Sequence, residues 1–229
     1  MRSAKGILFD FNGTLFFDTE LHIKAFEIIF PMYGKEKPTR EFLTSKVFGR
    51  TNASIYRDNF DKNATFEAAD EFRRRKEEVY YQLCLADKSI FKLVDGVPEM
   101  LDYLKEKGIP YTIATGSGGE EVDFFFKHLG LGRWFDKDRI IYTDGTFNGK
   151  PAPDCYLLAA ERIGLEAKDC IVFEDGTSGI RAAKAAGAAG VVAVFEEGMP
   201  SPLKEGITVD GVYHDLSDWR DILSQYDLL

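Results

Sequence analysis

A handful of residues in this 229-residue chain have the chemistry for handling phosphate, and each follows a short apolar run. Asp10 closes Ala4–Phe9, Thr115 closes Tyr111–Ala114, and Glu174 with Asp175 closes Cys170–Phe173, while Lys150 follows the run Ile140–Tyr142 and precedes Pro151. A carboxylate at Asp10 can attack phosphorus and form an acyl phosphate that water or a second substrate opens. Asp10 and Asp175 offer hard oxygen ligands suited to Mg²⁺. Thr115 and Lys150 can give a hydroxyl donor and a fixed cation to the equatorial oxygens, where charge collects during phosphoryl transfer. Gly13 lets backbone amides turn inward as further donors.

Such a set works only if the fold brings it together. After Leu93 the hydrophobic pattern alternates short apolar runs with amphipathic helices. The helices span Pro98–Lys107, Glu120–Leu129, Pro153–Ile163 and Ser178–Ala186, and Val191–Phe195 is a further strand. Ser217 is expected to cap a last helix carrying Trp219, Ile222 and Leu223. Strand–helix alternation implies right-handed crossovers and a parallel sheet covered on both faces. Ligands gather at the carboxyl ends of such strands, where all these polar residues fall.

The stretch after Asp18 reads differently, as helices. Leu21, Ala25, Ile28 and Ile29 form one apolar face, and Phe72, Val79 and Leu83 form another. The expected architecture is therefore α/β: a Rossmann-like, doubly wound parallel-sheet core of residues 1–15 and 93–229 with an inserted all-helical cap of residues 16–92. In the cap, the basic run Arg73–Lys76 reads first as a solvated face, with Arg73 pairing Glu77 and Arg74 pairing Glu78.

Asp10-Phe11-Asn12-Gly13-Thr14-Leu15, Ala114-Thr115-Gly116-Ser117, Gly149-Lys150-Pro151-Ala152-Pro153-Asp154 and Phe173-Glu174-Asp175-Gly176 resemble, in order, the four motifs of the haloacid dehalogenase superfamily. The third and fourth resemble the branch with β-phosphoglucomutase and small-molecule phosphatases. The resemblance covers essentially the whole chain. It implies Asp10 as nucleophile, and Thr115 and Lys150 on the phosphate, with Gly116 and Ser117 of the second motif at the substrate. Mg²⁺ would be held by Asp10, the Asn12 backbone carbonyl, Glu174 and Asp175. In the cap it implies substrate-facing roles for His22 and for Lys76, which would sense a second anionic group; Arg50 is a comparable candidate.

The family pattern is Asp-x-Asp, and this chain has Asn12 at the second place. An amide cannot trade protons near neutral pH, so the acid–base duty of that position is lost unless another group, such as His22, takes it up. Slow turnover of sugar and alkyl phosphates follows, since acid–base help is worth about 10²–10⁴-fold. Hydrolysis is favoured over mutase action, which needs efficient proton traffic there. Three alternatives stand beside a phosphatase: a phosphoglucomutase-like transferase, a phosphonate-cleaving enzyme using a cap lysine, and a phosphate-binding regulator without turnover.

The net charge of −9 argues against a nucleic-acid partner, because binding a polyanion needs a basic surface. Cys84, Cys155 and Cys170 are odd in number and widely spaced, which suits reduced thiols in a cytoplasmic protein. The longest weakly polar stretch, residues 182–195, is too short to span a bilayer, so no membrane partner is expected. A monomer acting on a small phosphorylated substrate is the resulting expectation.

Overall fold

The computed structural model describes residues 3–48 and 50–229; residues 1 and 2, within the segment 1–15 assigned to the core, lie outside the described residues, as does residue 49. The chain divides into two compact units, Met1–Phe17 with Lys92–Leu229, and Asp18–Phe91.

The first unit is an α/β core on a six-stranded sheet. Its strands are β1 (Gly6–Phe9), β2 (Tyr111–Gly118), β3 (Ile141–Thr143), β4 (Cys170–Glu174), β5 (Gly190–Val194) and β6 (Gly211–Tyr213), in the order β3-β2-β1-β4-β5-β6. Every described pairing is parallel. The central strands β1, β4 and β5 are buried throughout, as expected where helices cover both faces. β1 lies between β2 and β4, with Phe9 opposite Ile113 on one side and Phe173 on the other. That register brings Asp10, Ala114 and Glu174, the next residue on each strand, to one level at the carboxyl edge.

The second unit is helical. It comprises α1 (Thr19–Met32), α2 (Arg40–Phe42) running into a π-helical turn at Leu43–Val47, α3 (Asn52–Asn59) and α4 (Phe66–Ala86). Thr51 and Thr65 cap α3 and α4, each side chain accepting from a backbone N–H three residues on. Phe30, Tyr33, Tyr56, Phe60 and Phe72 interlock at ring distances of 4.9–5.7 Å, giving this small unit its own aromatic core.

Returning to the core, α5 (Val97–Lys107) runs between two glycines with left-handed backbone, Gly96 and Gly108. Then come α6 (Gly119–His128), α7 (Asp154–Arg162), α8 (Thr177–Ala185) and the short α9 (Trp219–Ser224).

Four expectations need correction. Ser217 does not cap α9: Asp218 occupies that position, and the Ser217 N–H donates to Asp215 Oδ1. Ile28 is 42% exposed, so the buried face of α1 is Leu21, Ala25 and Ile29. On α4 the buried stripe is Phe72, Lys76, Tyr80 and Cys84, with Val79 and Leu83 only half-buried. The basic run pairs backward along the helix, Arg73 and Arg74 with Asp70 and Arg75 with Glu71. This leaves Lys76 and Glu77 to turn inward.

Candidate active site

The site of the core unit grows from the ends of β1 and β4. The Asp10 N–H donates to the Phe173 carbonyl at 2.9 Å, which extends the ladder one residue beyond β1 and fixes the carboxylate at the sheet edge. The chain then turns tightly. Thr14, Leu15 and Phe16 all donate to the Phe11 carbonyl, and Gly13 donates to Phe16 at 2.7 Å. Gly13 has φ +79°, and a Cβ there would meet Asp175 Oδ2 at 2.0 Å; only glycine admits this turn beside this carboxylate.

Lys150 Nζ ties the cluster together. It donates to Asp10 Oδ1 and to Glu174 Oε1, each at 2.6 Å. The Tyr156 hydroxyl, on α7, also donates to Glu174 Oε1 at 2.9 Å, and the Gly176 N–H donates to Oε2 at 2.8 Å. Both Glu174 oxygens are thus engaged. Room for that carboxylate comes from Gly179 on α8, where a Cβ would lie 1.6 Å from Oε1.

Electrostatics follow from burial. Desolvation pushes the Asp10 carboxyl up to about 7; Lys150 opposes the rise and Glu174 adds to it. Burial works against the Lys150 ammonium, yet the adjoining Asp10 and Glu174 carboxylates hold its pKa well above the ordinary lysine value. Burial, then Glu174, likewise raises the Tyr156 hydroxyl. Ligand oxygens of Asp10, Glu174 and Asp175 all lie within 4.8 Å of one another. Three carboxylates against one ammonium leave two negative charges when all are ionised. A hard-oxygen set with that surplus fits Mg²⁺, and the cluster forms a divalent-metal site.

The second motif borders the same edge. Thr115 is buried, and its Oγ1 accepts from the Ser117 N–H at 3.1 Å. The Ser117 hydroxyl donates to Asn12 Oδ1 at 2.9 Å, bringing Asn12 and Ser117 together across 105 positions of sequence. Gly116 is exposed at the tip.

His22, Arg50 and Lys76 belong to the helical unit. His22 stacks on Tyr80 at 4.3 Å, and its Nε2 lies 3.2 Å from Asp18 Oδ2 and its Nδ1 2.9 Å from Lys76 Nζ. An ammonium only donates, so Nδ1 accepts and Nε2 carries the hydrogen directed at Asp18. Both ring nitrogens are engaged within the unit, which weighs against His22 as the missing proton donor. Arg50 pairs with Asp58 and donates to the Lys46 carbonyl at 3.2 Å.

Tyr156, Gly179 and Asp18 went unread in the sequence. A tyrosine at the start of a helix carries no functional pattern, and only its burial created the need for an acceptor.

The haloacid dehalogenase-like hydrolase family model matches residues 7–194. The phosphorylated carbohydrates phosphatase of Thermotoga maritima is 30% identical over 186 residues, covering 80% of this chain and 82% of that protein. Fructose-1-phosphate phosphatase YqaB of Escherichia coli is 30% identical over 182 residues, covering 80% and 92%. Among solved structures, a hydrolase of family IA, variant 3, from Entamoeba histolytica superposes with TM-score 0.86 at 35% identity, covering 93% of this chain and 94% of that one. CbbY of Rhodobacter sphaeroides shares the fold, with TM-score 0.76 at 23% identity over 94% and 96% of the two chains.

Proposed function

The chain belongs to the haloacid dehalogenase-like hydrolases, and from that premise we propose that it is a Mg²⁺-dependent phosphatase acting on a small phosphorylated metabolite, a sugar phosphate being the first substrate class to test. One observation carries the reading: Lys150 Nζ bridges Asp10 and Glu174 at 2.6 Å each, so a buried nucleophile, a fixed cation and an acidic cradle converge on one point.

In this reading an Asp10 oxygen attacks phosphorus as the bond to the leaving oxygen breaks. Water then opens the aspartyl phosphate, releasing inorganic phosphate and restoring the carboxylate. Lys150 and the Thr115 hydroxyl hold the phosphate oxygens, with the Gly116 and Ser117 backbone beside them. Asp10, Asp175 and the Asn12 carbonyl would hold Mg²⁺, while Glu174, both of whose oxygens are engaged, orients Lys150. The bound metal offsets negative charge on the phosphate during transfer. The sugar-phosphate class is supported by the names of two relatives, one a phosphatase of phosphorylated carbohydrates and the other of fructose 1-phosphate. A cytoplasmic setting is part of the same proposal, supported by three buried free cysteines.

Asn12 sets the rate. Its side-chain oxygen accepts from Ser117, and no proton can be passed to an alkoxide from a neutral amide. The test is phosphate release with Mg²⁺ from para-nitrophenyl phosphate and from fructose 1-phosphate. Asn12→Asp is expected to accelerate the sugar phosphate by about 10²–10⁴-fold and the aryl ester, with its acidic leaving group, far less. Asp10→Asn should abolish both; retained turnover would rule out the covalent route.

A further inference from the structure

We infer that Tyr156 is a positioning residue for the phosphate-binding ammonium: through Glu174 and through its own ring it keeps Lys150 aimed at Asp10. The inference rests on the phosphatase reading for what Lys150 holds and on the core unit alone for its geometry.

Tyr156 lies in the first turn of α7 and is fully buried, as is Glu174 at the end of β4. The Tyr156 hydroxyl donates to Glu174 Oε1 at 2.9 Å, the same oxygen that accepts from Lys150 Nζ at 2.6 Å. The Gly176 N–H holds Oε2 at 2.8 Å. Tyr156 and Gly176 therefore fix one oxygen each, and the carboxylate keeps its orientation whatever Lys150 does. Lys150 Nζ also lies 4.9 Å from the centre of the Tyr156 ring, within cation–π range. One tyrosine thus touches both the ammonium and the carboxylate that holds it.

Two consequences bear on phosphate. A buried ion pair keeps its geometry only when further hydrogen bonds meet its remaining lone pairs. Without the Tyr156 hydroxyl, Oε1 would be left to Lys150, and Glu174 could turn and carry the ammonium with it. The second consequence concerns competition. An oxygen shared by two donors holds each less tightly, so the hydroxyl weakens the claim of Glu174 on Lys150. That matters when Asp10 attacks, because Lys150 must then pass the hydrogen it gives Asp10 Oδ1 to a phosphate oxygen. The ring face attracts the ammonium without fixing the direction of its hydrogens, so they can turn to the new acceptor. None of this requires Tyr156 to touch substrate or metal. Phenylalanine would keep the ring, so the hydroxyl can be tested by itself.

The experiment measures binding of inorganic phosphate to the full chain with Mg²⁺ at saturation, and of Mg²⁺ alone, by calorimetric titration. Tyr156→Phe is expected to weaken phosphate by about tenfold, the worth of one hydrogen bond to a charged group. Mg²⁺ affinity should change far less, since Asp10, Asp175 and the Asn12 carbonyl are left in place. A residue that merely packs would move neither affinity or both in step, and either result overturns the inference. In a Lys150→Met background Tyr156→Phe should add nothing, and further weakening there would mean that Tyr156 acts by another route. One arm needs no Tyr156 variant to fold: in the wild-type chain, NMR of isotope-labelled lysine should show a resolved, slowly exchanging Lys150 ammonium. Its absence, or a failure of the wild-type chain to bind phosphate, overturns the inference too. Release of phosphate from para-nitrophenyl phosphate reports separately on the phosphatase reading. No release, with the selective loss of phosphate binding intact in Tyr156→Phe, would sink that reading and leave this role standing.

Discussion

Asp10 has to be a carboxylate to attack phosphorus or hold a cation, yet burial pushes its carboxyl up to about 7. Without metal, then, a proton sits on Asp10 over much of the acidic range, and Mg²⁺ must displace it. The sign is fixed by the direction of the shift: binding tightens as pH rises toward about 7 and levels off above it. Below that point the apparent Mg²⁺ affinity should weaken by up to about tenfold per pH unit from this one group. Calorimetric titration at pH 6 and pH 8 in two buffers of different ionisation heat would measure both the affinity change and the proton released. A flat profile with no proton release would mean that Asp10 is ionised before the metal arrives.

At the scale of elements, the junction of β4 with α8 leaves no room for an added side chain. Glu174 ends one and Gly179 lies in the first turns of the other, and an added Cβ would fall 1.6 Å from the Glu174 carboxylate. Gly179→Ala should therefore cost about 1–3 kcal/mol, the usual range for overpacking, and should loosen Lys150 with it. Gly116→Ala, at an exposed tip with nothing near the new methyl, serves as the control and should leave stability within about 0.5 kcal/mol. Urea unfolding of the two variants separates these outcomes.

The same elements show what could be read beforehand. The apolar runs ending at Asp10, Thr115 and Glu174 were legible because fully buried parallel strands carry continuous hydrophobic residues. β6 was not, since Gly211-Val212-Tyr213 is three residues long with Val212 exposed, too short for any periodicity to register. The α4 stripe misled for a different reason. Hydrophobicity marks Val79 and Leu83, whereas the buried face runs through Lys76, whose ammonium donates to its neighbour Glu77 and to His22, 54 positions away and brought close only by the folded helices. Tyr156 escaped notice likewise, because its partner Glu174 lies 18 residues away.

At the scale of the whole molecule, the chain carries a net charge of −9, and the core gathers three of its carboxylates around a single ammonium. Concentrating like charge in a buried place works against folding, and the raised Asp10 gives that cost a pH dependence. An unfolded chain releases the Asp10 proton above its ordinary value of 3.8, while the metal-free folded protein keeps it until about 7. Folding stability from this group is therefore lost as pH rises across that window. Mg²⁺ binds only the folded, ionised site and reverses the loss. At a concentration of about 100 times its Kd it adds about 2.7 kcal/mol, which for a chain of this length raises Tm by about 5–10 °C. The gain in Tm on replacing EDTA with a fixed Mg²⁺ concentration should accordingly be larger at pH 8 than at pH 6, and Asp10→Asn should remove most of it at both. Scanning calorimetry at the two pH values decides the matter: a Mg²⁺ gain equal at both, or undiminished in Asp10→Asn, would place the stabilising ion somewhere other than this cluster.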